Sequence, residues 1–306
     1  MSARAAPVCV ICHDAGGAEI LASYVAQNAL ECRFVLAGPA LQVFQRRLGA
    51  VNVEPLAQAI AASAWCLIGT GWQSDLEWQA LGEAKRLGKR AVSFLDHWVN
   101  YPERFERDGV RRLPDEIWVG DEDALGLAQR HFAGTPVKLV PNPYFADVAR
   151  EFARHDARRP AARPGQARAL FVCENLSGIG RQRFGNERHY GYTEFDALAY
   201  FFSRAPELGI GGVRIRPHPS DPPGKYDALI AGHAPLAQLG GDRPLLEEIA
   251  AADMVAGCES MALVTALLAK RRVLCCVPPG KEVIFIDRRG GVEMLRDLPV
   301  RSTSAA

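Results

Sequence analysis

The stretch that decides the fold is Pro7 to Gly38, PVCVICHDAGGAEILASYVAQNALECRFVLAG. Its apolar run Val8 to Cys12 reads as a strand. It ends at His13-Asp14, and Gly16-Gly17 open a helix over GGAEILASYVAQNAL. A second strand, RFVLAG, follows at once. Strand, helix and strand in this spacing form a βαβ unit, whose strands run parallel.

The alternation continues outward. ALQVFQRRLGA reads as a helix, AWCLIGTG as a strand, SDLEWQALGEAKRLG as a helix and KRAVSFLDH as a strand. DEIWVGD, EDALGLAQRHFAG and VKLVPN add strand, helix and strand, the helix closing on Gly134. The pattern stops after Asn142. REFARHDARRPAARPGQAR, Arg150 to Arg168, is polar, rich in arginine and broken by Pro160 and Pro164, which predicts a linker. The alternation then restarts with ALFVCEN, YTEFDALAYFFSRAPELG, VRIRPHPS, RPLLEEIAAAD, MVAGC, SMALVTALLAKR and RVLCCVPP. The expected fold class is α/β: two Rossmann-like domains, each a doubly wound parallel sheet, facing each other across a cleft. The expected division is 1–150, a linker at 151–168, and 169–306.

Bulk properties exclude several classes. Of 306 residues, 48% are hydrophobic and 23% charged, with a net charge of +1, so no strongly basic nucleic-acid surface is advertised. The N-terminal apolar run is about six residues, too short for a secretory signal, and no segment approaches the ~18 apolar residues of a membrane span. The expected location is the cytoplasm. The linker's arginines could also favour peripheral contact with an anionic inner-membrane face, although a plain soluble linker is the simpler reading. Of the eight cysteines, most lie inside apolar strands. Cys9 and Cys12, three apart on one strand, point to opposite faces, so core packing is favoured over a metal site.

Open α/β sheets bind ligands beyond the carboxyl ends of their strands. In the first half those ends carry His13-Asp14-Ala15-Gly16-Gly17-Ala18-Glu19, Thr70 to Asp75, and Asp96-His97-Trp98. In the second half they carry Glu174-Asn175-Leu176-Ser177-Gly178, Pro217-His218-Pro219-Ser220, and Gly257-Cys258-Glu259-Ser260. Ser260 or Glu259 is placed to cap the helix that follows. Free backbone N–H groups at such a start attract phosphate, although an ordinary capped helix gives the same pattern. Two prolines hold His218 at its strand end. If the strands before His218 and Ser260 are neighbours, both side chains meet one phosphate, with Arg216 as a nearby cation. The segment ENLSGIGRQRFGNERHYG reads as a loop offering Asn175, Ser177, Arg181, Arg183, Arg188 and His189 to an anion. It reads equally as a solvated basic loop.

The second half, with RPHPS and the later serine of CESMAL, resembles the nucleotide-binding domain of GT-B glycosyltransferases. The paired His-Pro and serine motifs are similar to those of bacterial sialyltransferases, polysialyltransferases and Kdo transferases. The resemblance implies that His218 and Ser260, with Glu259 beside Ser260, contact the cytidine monophosphate of the donor; Ser220, at the same strand end as His218, is a further donor-binding candidate. It also implies an inverting transferase that needs no metal or other cofactor. The donor would be a CMP-activated nonulosonic acid (sialic, pseudaminic or legionaminic acid, or Kdo), and the acceptor a bacterial surface glycan or glycoprotein. Such a reaction needs a general base. Asp14 is the first choice and Glu19 the second, with His13, Asp96 and His97 as alternatives. Gly16 and Gly17 would let a ligand approach the backbone. An N-cap role for Asp14 is compatible with this. The loop lacks a dinucleotide or P-loop pattern.

Two further readings keep the fold. One is a UDP-sugar-dependent enzyme: a 2-epimerase, which calls for more carboxylates around the sugar, a nucleotide-sugar hydrolase, a UDP-sugar transferase or a polyol-phosphate transferase. The other is a non-catalytic nucleotide-sugar-binding subunit.

Overall fold

The structure is a computed structural model and describes residues 7–71, 74–156, 165–286 and 290–299. It divides into two compact units, Met1–Asp147 and Val148–Ala306.

The first unit runs β1 (Val8–Cys12), α1 (Ala15–Gln27), β2 (Cys32–Leu36), α2 (Gly38–Leu48), α3 (Leu56–Ala61), β3 (Trp65–Ile68), α4 (Leu76–Arg86) and β4 (Arg90–Leu95). A short hairpin, β5 (Glu106–Arg107) and β6 (Val110–Arg111), precedes β7 (Glu116–Val119), α5 (Glu122–His131) and β8 (Val137–Leu139), and α6 (Pro143–Asp156) crosses the division after Asp147. The six-stranded sheet has the order β2-β1-β3-β4-β7-β8, and its strands are parallel throughout. Both faces of β1 are buried: Val8, Val10 and Cys12 join one core cluster, while Cys9 and Ile11 are fully buried on the other side. Helix α1 presents Ala18, Leu21, Ala22 and Val25, the i, i+3, i+4, i+7 stripe, to that cluster beside Leu67, Val92 and Phe94. Each large side chain buried this way contributes roughly 1.5–3 kcal/mol.

The second unit runs β9 (Ala167–Val172), α7 (Leu176–Phe184), α8 (Glu194–Arg204), β10 (Ile210–Arg216), α9 (Asp227–Gly232) and β11 (Ala237–Leu239). It continues with α10 (Leu245–Ala251), β12 (Met254–Gly257), α11 (Met261–Leu268), β13 (Arg272–Cys275) and β14 (Val292–Met294). Its six strands are ordered β11-β10-β9-β12-β13-β14, again all parallel. Helix α8 starts at a capping box, in which the Thr193 side chain accepts from Asp196 N–H and the Asp196 carboxylate receives Thr193 N–H.

Three expectations differ from what is seen. The segment 151–168, read as linker, is helical up to Asp156 and enters β9 at Ala167, while Pro160 and Pro164 lie outside the described residues. The basic segment after Asn175 is a helix rather than a loop. Asn175 accepts from Gly178 N–H at its start, and Gly185 closes it in the left-handed conformation at φ +66°. Strands β10 and β12 are not neighbours, because β9 pairs with both.

All eight cysteines are free thiols, seven of them buried. Cys9 faces Cys66 across the β1–β3 ladder, and Cys12 belongs to the opposite core. Among the described residues no helix is long and apolar enough to cross a membrane.

Candidate active site

The strand orders locate the sites. In each sheet the chain winds outward from an inner strand in both directions, and ligands bind at the point of reversal. That point is β1/β3 in the first unit and β9/β12 in the second.

At the β1/β3 point, Asp14 stands as the N-cap residue of α1, yet its side chain caps nothing. Its Oδ1 instead pairs with His13 Nδ1 at 2.8 Å, and both side chains are partly exposed. The backbone N–H of His13 donates to Glu77 Oε1 at 2.7 Å. Glu77 sits on α4, 1% exposed, and its Oε2 has no hydrogen-bond partner among the described residues. Burial pushes the Glu77 carboxyl up to about 7, and the negative charge of Asp14 adds to the effect. A Cβ on Gly71 would lie 2.6 Å from Asp14 Oδ2 and 3.1 Å from Glu77 Oε1, so the two carboxyls flank one glycine. The His13 ring covers Gly38, where a Cβ would meet Nε2 at 2.5 Å and φ is +52°. Only glycine suits both demands.

Asp96 closes the floor of this site. Its Oδ1 accepts from Arg104 Nη1 at 2.6 Å and from Thr70 Oγ1 at 3.3 Å. Its Oδ2 lies 2.7 Å from where a Gly16 Cβ would be. The group that approaches Gly16 is therefore the chain's own Asp96, at the positive end of α1, and the nearest neighbour of a Cβ on Gly17 would be the Cys12 sulfur. Arg104, 5% exposed, also donates to the carbonyls of Thr70 and Val99. Asp96, through Oδ1, and Arg104 thus form an internal pair. His97 Nδ1 accepts the N–H of Trp98 at 2.9 Å, a local turn contact. Glu19 is not part of the cluster, because its carboxylate is held by Arg46 and Arg47 of α2.

At the β9/β12 point, Glu174 Oε2 accepts the N–H of Glu259 at 3.2 Å and so bridges the two strand ends. Burial raises its carboxyl to about 7, with Glu259 and Glu194 adding to the rise. Ser260 caps α11 by accepting from Ala262 N–H at 3.2 Å. Glu259, expected beside a phosphate, uses Oε1 to accept backbone N–H groups of Ile284 and Phe285 at 2.7 and 2.8 Å. It anchors the chain after β13.

His218 lies on the other side of β9, at the end of β10. Its Nδ1 is 2.8 Å from Ser220 Oγ, and Ser220 Oγ accepts from Asn175 Nδ2 at 3.0 Å. The structure thus joins His218, Ser220 and Asn175 across the β9/β10 ends, and β9 separates them from the Ser260 strand. Burial lowers the His218 pKa; Asp221 opposes that effect and Lys225 adds to it. Burial thus favours the neutral ring. Ser177 is committed to Glu194, through N–H at 2.9 Å and Oγ at 2.5 Å. Arg216 turns to Glu248 Oε2 at 2.5 Å and the Arg243 carbonyl at 2.8 Å, away from His218. Arg183 is on the exposed part of α7, near Arg181, which is paired with Glu187. Arg188 pairs with Asp196, and the His189 ring stacks on Phe184.

Glu77 and Lys225 were missed by the sequence reading. For Glu77 a signal existed, since Glu77, Ala80, Leu81 and Ala84 are the buried stripe of α4. Lys225, only 10% exposed, pairs with Asp221 and Glu194. It lies in SDPPGKYDAL, where no periodicity marks it.

No protein-family model matches the chain, and no curated protein sequence matches it. Solved structures do. The chain is similar to the UDP-GlcNAc 2-epimerase from Methanocaldococcus jannaschii, with a TM-score of 0.62 and 9% identity over 94% of this chain and 88% of that one. It is also similar to the UDP-GlcNAc 2-epimerase from Neisseria meningitidis bound to UDP-GlcNAc, with a TM-score of 0.60 and 11% identity over 88% and 82%. A glycosyltransferase from Streptomyces nogalater aligns at a TM-score of 0.49 and 12% identity over 89% and 82%. The strand orders and these likenesses define the architecture: the chain has the two Rossmann-like units of the GT-B type of fold.

Proposed function

We infer that this chain is a nucleotide-sugar-dependent enzyme of GT-B fold whose substrate is a UDP-sugar. The observation that carries the reading is the acid–base pair at the β1/β3 point: Asp14, partly exposed and paired with His13, beside the buried Glu77 carboxyl, raised to about 7. Two carboxyls in such different surroundings are suited to opposite proton-transfer roles. In this reading Asp14 takes a proton from the sugar or from an acceptor hydroxyl, and His13 orients it. The second unit holds the nucleotide phosphates, with the Ser260 start of α11 and the His218–Ser220–Asn175 group as donors. UDP is favoured because the similar structures with TM-scores of 0.60 and above include UDP-GlcNAc 2-epimerases, one of them bound to UDP-GlcNAc. The two carboxyls of the first unit, Asp14 and the raised Glu77, also suit an epimerase or hydrolase better than a transferase with a single base.

A second reading, transfer of a CMP-activated nonulosonic acid to a glycan, rests on Pro217-His218-Pro219 and on Ser260 capping α11. One experiment separates them. The chain is incubated with UDP-N-acetylglucosamine without acceptor and followed by proton NMR. The 2-epimer or free UDP is expected. Inertness toward UDP-sugars, together with a rise in melting temperature on adding CMP but not UDP, would replace the first reading with the second.

A further inference from the structure

The second unit contains a chain of hydrogen bonds that runs from a buried ammonium to the His218 ring. Lys225 Nζ donates to Asn175 Oδ1 at 3.0 Å, and Gly178 N–H donates to the same oxygen at 3.2 Å. Two donors on Oδ1 fix the amide orientation, so the Asn175 NH2 group faces the other way. It donates to Ser220 Oγ at 3.0 Å. With an incoming donor on its oxygen, the Ser220 hydroxyl is free to point its proton at His218 Nδ1, 2.8 Å away. The backbone N–H of Ser220 points at the same nitrogen at 3.2 Å. A nitrogen that receives an N–H carries no proton in the neutral ring.

Lys225 itself cannot drift. It is bonded to Asp221 Oδ1 at 2.6 Å and paired with Glu194. Asp221 uses its other oxygen to receive the His218 backbone N–H at 2.8 Å and the Tyr226 hydroxyl at 2.9 Å. The backbone and the ring of His218 are thus both tied to one buried lysine.

We propose that Lys225 is a positioning residue that fixes His218 in the tautomer with a bare Nδ1 and a protonated Nε2, presenting Nε2–H as a hydrogen-bond donor to an anionic ligand. The consequence is specific. A neutral histidine that can flip its tautomer offers a phosphate oxygen a donor only part of the time, whereas this ring offers one always. The assignment rests on the reading of the second unit as a nucleotide-phosphate site only for the identity of the ligand.

The test is nitrogen NMR of the full chain carrying 15N-histidine, with His218→Gln to assign the ring. The wild-type ring is expected to show a protonated Nε2 and a bare Nδ1. Lys225→Arg, which keeps the charge, should keep that signature. Lys225→Met combined with Glu194→Gln, which removes the lysine without leaving two unmatched carboxylates, should give a mixture of tautomers. Ser220→Ala, which removes the hydroxyl but keeps the backbone N–H on Nδ1 and the buried charges, should keep the bare Nδ1. A protonated Nδ1 in the wild type, or a pure Nε2–H ring in the double variant, overturns the proposal. UDP titration then weighs the ligand separately: the double variant is expected to bind about tenfold more weakly, the cost of roughly one hydrogen bond. If UDP binds neither protein while the tautomer still shifts, the positioning role stands and the nucleotide reading fails.

Discussion

Replacing Glu77 with glutamine should make the first unit more stable above neutral pH, and the size of the gain follows from the site. Glu77 is 1% exposed, and its Oε2 is unpartnered among the described residues. From β1 it is faced by Cys12, His13 and Asp14, and beyond them Asp96 is already paired with Arg104. Its carboxyl is raised from 4.5 to about 7. Below pH 4.5 both the folded and the unfolded chain hold the proton, so the group costs nothing. Between 4.5 and 7 the unfolded chain ionises while the folded chain does not, and stability falls as pH rises. Above 7 the loss is complete, about 3 kcal/mol, with about 2.5 kcal/mol of it developing between pH 5 and pH 8. Glutamine keeps an oxygen for His13 N–H and never ionises. Its buried NH2 costs about 1 kcal/mol at every pH, so the diagnostic quantity is the pH dependence rather than the absolute difference. All five tryptophans, at positions 65, 72, 78, 98 and 118, belong to the first unit. Urea unfolding followed by tryptophan fluorescence at pH 5 and pH 8 therefore reports that unit. The variant should gain about 2.5 kcal/mol on the wild type between the two pH values. A difference that stays within ~0.5 kcal/mol across that range would refute the claim that Glu77 is held protonated.

Four other outcomes are expected. Gly71→Ala puts a methyl 2.6 Å from Asp14 Oδ2; like Asp14→Asn it should cost at least about a hundredfold in turnover while leaving the UDP-induced shift in melting temperature unchanged. Arg104→Met strands the half-buried Asp96 carboxylate and should cost about 3–5 kcal/mol in urea unfolding. Ser260→Ala removes the cap of α11, costing about 1 kcal/mol, and should weaken UDP binding in calorimetry. His218→Ala should weaken UDP binding without that loss of stability.

The βαβ rhythm was legible because each strand is a short apolar run between turn residues and each long helix carries its own stripe. What the rhythm cannot show is lateral order. Nothing in VRIRPHPSD or CESMAL says that β9 inserts between their strands, so the expected meeting of His218 with Ser260 became two groups flanking β9. Charged residues at strand ends were found as a set, but their partners were not. Arg216 and Glu259 look like ligand-binding groups and are used internally. Glu19 looks like a neighbour of Asp14 but projects from another face of α1 toward two arginines. The segment after Asn175 contains Gly178 and Gly180, which lower helix propensity. Its Asn cap and Gly185 stop outweigh that, and the helix forms.

The most direct test of the account is amide hydrogen exchange of the full chain at saturating UDP. Protection is predicted in three segments of the second unit: 174–178, 218–221 and 258–262. Saturating UDP that leaves all three unprotected would contradict the assignment of the nucleotide to these strand ends.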